Sequence, residues 1–405
     1  MKKDIFTPAD ILIPDVTSPE KWSVIACDQF SSQKDYWERV RNFVGMEPST
    51  LDMIIPEAYL GDVNEDKETR RIRDVMDDYL HRKLFKEVKD SFVFVERTLP
   101  DGTVRLGLVG TIDLEQYAFT GFEAAILASE GTVIERLPAR IRVRRAVRLE
   151  SPHIITFIND VNKTVIEPLS AKAHELPLLY DFDLMEGGGH IRGRRVFGSD
   201  ADTVMEKLRE LQEQSRVFMV IGDGNHSLAA AKVYWDDIKK SLSNEERETH
   251  PARRALVEVN NVYDPAVSFQ AIHRVIFDVF PAALISALER SFPKGADYEL
   301  RWISRFQSGV LGLSAKSISE LLTVVQAQLD EQVSFTGCSI DYIHDKDSVE
   351  KLAKEERCLG LLMPRMDKSE LFATVAARGV FPKKSFSVGH ARDKRYYMEC
   401  RKIIL

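Results

Sequence analysis

The sequence predicts a mixed α/β protein. Three observations carry that class. Residues 217–221 (VFMVI) have the length and apolar content of a buried strand, and they run through Gly222-Asp223-Gly224-Asn225-His226-Ser227 into an alanine-rich helix over 228–240. Residues 66–85 place Ile72, Val75, Met76, Tyr79 and Leu80 on one helical stripe. Residues 92–97 and 104–112 are β-like runs joined by Pro100-Asp101-Gly102, a good hairpin turn.

The other elements follow in chain order. Residues 22–27 (WSVIAC) read as a strand ending in the polar loop 28–32, and Tyr36-Trp37 open a helix. Residues 141–145 alternate apolar and basic side chains. Residues 154–158 read as a strand. Residues 181–193, with Gly187, Gly188, Gly189 and Gly193, read as a flexible loop or hairpin, and Val204, Met205, Leu208 and Leu211 mark a helix. The polar stretch 243–250 is the best loop, and 254–262 the next strand. From about residue 280 helices dominate, 317–328 and 348–356 being the clearest. Residues 358–363 read as a strand, and 368–378 as a helix closed by Gly379.

The chain has 405 residues, which sets an expectation of two to three domains, and no flexible linker separates them. Hydrophobic residues make up 44% and charged residues 29%, ordinary globular usage. A net charge of −7 argues against a general nucleic-acid binder, so no specific DNA partner is expected. Cys27, Cys338, Cys358 and Cys400 form no C-x-x-C pair or zinc spacing, and a reduced cytoplasmic setting is the simple expectation. Asp4, Pro8, Asp10 and Pro14 break up any leader core, and no apolar run approaches the roughly 18 residues of a membrane span.

Five constellations carry chemistry. The 222–227 loop stands between a strand end and a helix start, where free N–H groups and the helix dipole favour an anion. Two glycines would let a phosphate approach, and His226 and Ser227 could add side-chain hydrogen bonds. Asp223 or Asn225 as plain helix caps explain the same residues. Glu130-Gly131-Thr132 is followed by Arg136 and by Arg140, Arg142 and Arg144. On a strand the last three share one face, either an anion clamp or a solvated row. His273-Arg274 follows an apolar segment. Lys383-Lys384-Ser385 could meet phosphate or form a charged turn. Asp28, at the end of 22–27, could be a cap, a general base or a metal-binding carboxylate. His190 beside the glycines 187–189 could belong to a lid or to a hairpin. No H-E-x-x-H, G-x-S-x-G or zinc spacing is present, and no metal ligand set can be assigned.

Taken in order, these features resemble one family, the domain of unknown function 1015, also described as SpoOJ/ParA/ParB/RepB-like. The matching segments are WSVIACDQFSS with Tyr36-Trp37, Glu130-Gly131-Thr132 with Arg140, VIGDGNHSLAAA, Ala271-Ile272-His273-Arg274, and FPKKSFSVG with Lys394-Arg395-Tyr396-Tyr397. Many relatives read Asp-Gly-His-His-Arg where this chain has Asp223-Gly224-Asn225-His226-Ser227, so a neighbouring arginine would have to supply the missing contact. The loop also resembles the ParB/sulfiredoxin superfamily, which includes kinases of free serine.

The resemblance implies a ParB/sulfiredoxin-like core over 116–280, flanked by α/β regions at 1–115 and 281–405. It implies ATP and Mg²⁺ as cofactors, and phosphoryl transfer from ATP to a small amino acid, free L-serine first. The alternative is a ParB-like nucleotide switch, or a regulator without turnover. Asp223, Glu130 and His226 are then the catalytic candidates. Gly224, Asn225, Ser227, Arg140, His273, Arg274 and Lys383 are the candidates for binding the cofactor. No membrane partner is expected, and homo-oligomerisation stays open.

Overall fold

The structure is a computed structural model that describes residues 3–404 apart from 122, 133, 135 and 136. It is mixed α/β, as the sequence predicts, with a large mixed sheet and, among the described residues, twelve α-helices. The chain divides into two compact units. The larger holds Met1–Ala128, Thr132–Val267 and Gly389–Leu405; the smaller holds Ser129–Gly131 and Ser268–Val388.

The larger unit is built on an eleven-stranded sheet. Its main path runs Tyr117–Ala118, Ile126–Ala128, Met219–Asp223, Ile155–Ile158, Arg254–Asn261, Val104–Asp113, Phe85–Thr98, Gly189–Val196 and Leu178–Leu184. Phe6–Thr7 and Ala9–Pro14 pair with Val104–Asp113 and Phe85–Thr98 respectively. The predicted hairpin is present, with Phe94 opposite Leu108. Residues 181–193 form the second hairpin, Leu178–Leu184 against Gly189–Val196. Met219–Asp223 lies parallel to Ile126–Ala128 and antiparallel to Ile155–Ile158. The expected boundary at 115 falls inside this sheet, because Val104–Asp113 pairs with Arg254–Asn261 across about 150 residues of chain. That pairing is non-local, and no local pattern announces it.

Three expectations are corrected here. Residues 22–27 are not a ladder strand: Trp22 ends the short helix Pro19–Trp22, and Ile25 makes a single bridge to Tyr396. Their apolar character serves packing, since Val24, Ile25 and Ala26 are fully buried. Residues 141–145 lie in the helix Leu137–Ala146, not on a strand. Residues 243–250 are not a loop but hold the helix Asn244–Thr249, started by a reciprocal capping box between Ser243 and Glu246. The amphipathic helix is found at Glu65–His81, where the Asn64 side chain accepts from the Lys67 N–H and Glu65, Asp66 and Glu68 fill the first turn.

The smaller unit is less helical than expected. Its five-stranded sheet runs Ser308–Leu313, Lys294–Ser304, Leu359–Leu362, His273–Phe277 and Ser339–Ile343. The helix Ile318–Thr336 ends on Gly337 in the left-handed region (φ 69°), and Glu370–Arg378 ends on Gly379 (φ 84°), as predicted. Short strands such as Leu359–Leu362 need partners to form, and their partners lie far along the chain.

Candidate functional site

The 222–227 loop joins the strand Met219–Asp223 to the helix Asn225–Ile238. Gly224 is the residue before the helix, at φ 77°, and as a glycine it offers the first turn no capping side chain of its own. A Cβ on Gly224 would meet Ile154 at 2.9 Å, and one on Gly222 would meet the Phe157 ring at 2.2 Å. Close approach to the neighbouring strand therefore requires both glycines, whatever binds at the turn. Asp223 Oδ1 accepts from the Gly224 N–H at 3.0 Å. Its Oδ2 has no hydrogen bond and faces Lys394 Nζ at 3.3 Å. Lys394 is only 6% exposed. Asn225 Oδ1 is likewise enclosed without a hydrogen bond, and His226 and Ser227 are half-buried in the first turn.

Asp28 belongs to the same neighbourhood. Burial works against its charge, but His153, Gln29, Lys394 and Arg140 together hold its carboxyl below the ordinary range. His153 Nε2 lies 4.0 Å from Asp28 Oδ2, and His153 Nδ1 lies 2.8 Å from the Tyr397 hydroxyl. That hydroxyl accepts from the Cys27 N–H at 3.2 Å. Burial pushes the Tyr397 phenol well above its usual value, so it stays protonated. Burial pushes the Cys27 thiol up to about 12, with Asp28 adding to it, which makes Cys27 a poor nucleophile.

The helices Glu65–His81, Leu137–Ala146 and Asn225–Ile238 pack around a cavity of about 190 Å³. Cys27, Glu57, Arg140, His153, Ser227 and Tyr397 are among its polar lining. The arginine row is resolved by the helix. Arg140 and Arg144, four residues apart, share a face on the cavity, while Arg142 is 47% exposed and pairs with Glu65. Arg140 pairs with Glu57. Arg136 lies outside the described residues.

The smaller unit holds the other candidates. Glu130 accepts from the N–H groups of Lys384 (3.2 Å), Ser385 (3.0 Å) and Phe386 (3.1 Å). Burial raises its carboxyl, and these donors oppose the rise. Arg274 is 1% exposed and donates to the carbonyls of Ile272 and Lys384. Its guanidinium lies 5.3 Å from the Tyr342 ring centre, and burial pulls its pKa down to about 10. His273 Nδ1 accepts from the Met363 N–H at 3.0 Å. Lys383 is exposed, on a groove shared with Ser319, Thr323 and Arg378.

Of the residues singled out in the sequence, the structure places Arg140 and Ser227 on the cavity and Asp223 beside Lys394; Lys394, His153, Glu57 and Tyr397 are neighbours that the residue pattern assigns no role. Lys394 and Tyr397 stood in the matched KRYY segment, which was a usable signal. His153 and Glu57 had none. Among the described residues no three His, Cys, Asp or Glu side chains group as a metal site. Magnesium brought in with phosphates needs only one or two protein carboxylates. Asp223 Oδ2 has no hydrogen bond, but it is enclosed and faces the Lys394 ammonium, so it does not fit a cation as it stands.

The chain belongs to the family described as protein of unknown function (DUF1015), whose pattern matches residues 14–384. No curated protein matches its sequence. Among solved structures it is similar to a conserved hypothetical protein from Pyrococcus furiosus, at 12% identity and a TM-score of 0.37, over 72% of this chain and 94% of that one. It is also similar to a free serine kinase in complex with AMP, at 12% identity and a TM-score of 0.40, over 73% and 91%. A third is SbnI with a C-terminal truncation from Staphylococcus aureus, at 9% identity and a TM-score of 0.38, over 69% and 82%. Likeness at this level does not carry an activity across, and none of these comparisons supports the ParB/SpoOJ-like assignment. Among the described residues no helix is long and apolar enough to cross a membrane.

Proposed function

We propose that this protein is an ATP-dependent kinase of a small hydroxyl compound, with free L-serine as the first acceptor to test. The observation that supports this reading is the start of the helix Asn225–Ile238. Its N-cap is Gly224, which brings no side-chain oxygen of its own, and it opens beside a carboxylate, Asp223, and an enclosed ammonium, Lys394. Phosphoryl transfer needs an anion cradle, neutralising cations and a base for the incoming hydroxyl. The N–H groups of Asn225, His226 and Ser227 form the cradle. Lys394 and Arg140 supply positive charge. Asp223 takes the hydroxyl proton as the acceptor oxygen bonds to the γ-phosphorus and the bond to the ADP oxygen breaks. Asp28, kept ionised and backed by His153, orients the acceptor. Mg²⁺ carried by the nucleotide would neutralise phosphate charge.

Glu130, His273 and Arg274 are given no chemical step in this reading, because main-chain groups already hold both oxygens of Glu130, Nδ1 of His273 and the two terminal nitrogens of Arg274. The test is phosphorus NMR of the protein with ATP, Mg²⁺ and an amino-acid panel. O-phosphoserine, or another phosphorylated hydroxyl compound, is the expected product. Nucleotide binding with no phosphorylated product would replace the kinase by a nucleotide-responsive regulator.

A further inference from the structure

The larger unit has another cavity, of about 370 Å³, and none of the residues given a step in phosphoryl transfer lines it. Three arginines do, and two of them are fully engaged. Arg253 binds both oxygens of Asp113 at 2.8 to 3.2 Å and Glu248 at 2.9 Å. Arg401 gives its Nε to Glu150 and its other nitrogens to the carbonyls of Pro251 and Arg254. Arg254 is different. It is half-buried, and its Nη1 donates to the Thr7 hydroxyl at 2.8 Å. Among the described residues no carboxylate pairs with it, since Arg253 holds Asp113 and Arg209 holds Asp4. Burial, and the Arg253 and Arg401 charges after it, keep its pKa below the ordinary value, although Asp113 opposes them. Its Nε and Nη2 have no acceptor and are not enclosed, so they stand open where the side chain lines the cavity.

We propose that this cavity binds a small hydroxy or amino acid, its carboxylate accepting from Nε and Nη2 of Arg254. Those two nitrogens form one edge of a guanidinium fork, which matches a carboxylate, and the charge without a partner supplies the complement. The rest of the wall sets the body. Asp10 and Glu87 line the cavity from Ala9–Pro14 and Phe85–Thr98, and the exposed Lys402 offsets only one of them. Two carboxylates oppose a multiply charged anion but accept from a hydroxyl or an ammonium. Thr111 and Thr249 add hydroxyls to the same wall. The space lies in the range of small-molecule sites, roughly 300 Å³ and above, so volume does not exclude such a ligand. The inference is independent of the kinase reading.

Calorimetric titration of the full chain with L-lactate and L-alanine tests it, and separates the hydroxy from the amino acid. The controls are the matching amides, which lack the carboxylate, benzoate, which lacks the polar body, and inorganic phosphate. At least one of the two acids should bind about tenfold or more tighter than every control. Arg254→Gln keeps a donor for Thr7 and should remove about tenfold of that affinity. A second measurement needs no variant: hydrogen exchange of the wild-type chain should slow on acid binding in residues 7–12 and 248–254. Amides, benzoate or phosphate binding as well as the acids would overturn the proposal. So would full affinity in Arg254→Gln, binding that leaves exchange in both segments unchanged, or no acid binding at millimolar concentration.

Discussion

The helix start at 225 and the turn around Glu130 are equally conspicuous in the sequence, and the two units use them in opposite ways. In the larger unit the charged groups partner one another: Asp223 with Lys394, Asp28 with His153, Arg140 with Glu57. In the smaller unit they partner the main chain: Glu130 holds three N–H groups, Arg274 two carbonyls, and His273 one N–H. A main-chain partner is fixed by the fold, so breaking that bond breaks structure. An ionisable partner can be exchanged for a phosphate or a carboxylate at small cost. What satisfies a polar group therefore separates a site from a brace better than its residue type does.

That contrast breaks most visibly at Asp223. Asp223→Asn should lower phosphoryl transfer about a hundredfold, within the range a positioned base contributes. Asn still offers an oxygen to the Gly224 N–H, so a pure cap would survive the change. Full turnover at an unchanged melting temperature would return Asp223 to capping.

Glu130→Ala should show the reverse pattern. It strands three N–H donors and should cost about 2 kcal/mol of stability in urea unfolding. Turnover per folded molecule should hold. Lost turnover at wild-type stability would move Glu130 into the site.

A smaller effect separates two arginines on one helix. Arg140→Ala should weaken nucleotide use by about 2 kcal/mol, as loss of a charge-assisted contact does. Arg142→Ala, at an exposed pair, should stay within about 0.5 kcal/mol. Equal small losses would reduce Arg140 to a surface residue.

The smallest effect is a pH dependence in the brace. Burial first, and the Arg274 charge second, hold His273 below its ordinary value of 6.5. The neutral ring accepts from the Met363 N–H, so its stabilisation is present above pH 6.5 and is lost as pH falls through the folded-state value. His273→Gln should flatten the fall in melting temperature between about pH 7 and pH 5. An unchanged slope would place the acid sensitivity elsewhere.

The sequence by itself determined the local elements whose signals are local. The stripe Ile72, Val75, Met76, Tyr79 and Leu80 fixed a helix, Pro100-Asp101-Gly102 fixed a hairpin, and Gly379 fixed a helix end, each through contacts a few residues apart. It also picked out Asp223 and the turn after it, because a strand end before a helix start is visible in the residue pattern. Tertiary structure alone decided the rest. Residues 141–145 alternate like a strand, yet they pack as a helix against Asn225–Ile238. Lys394 reaches Asp223 across 171 positions (394 − 223), and Tyr397 reaches His153 across 244. Burial and pairing of this kind arise only when the chain closes on itself, so which charges stay exchangeable and which become braces is a property of the folded units.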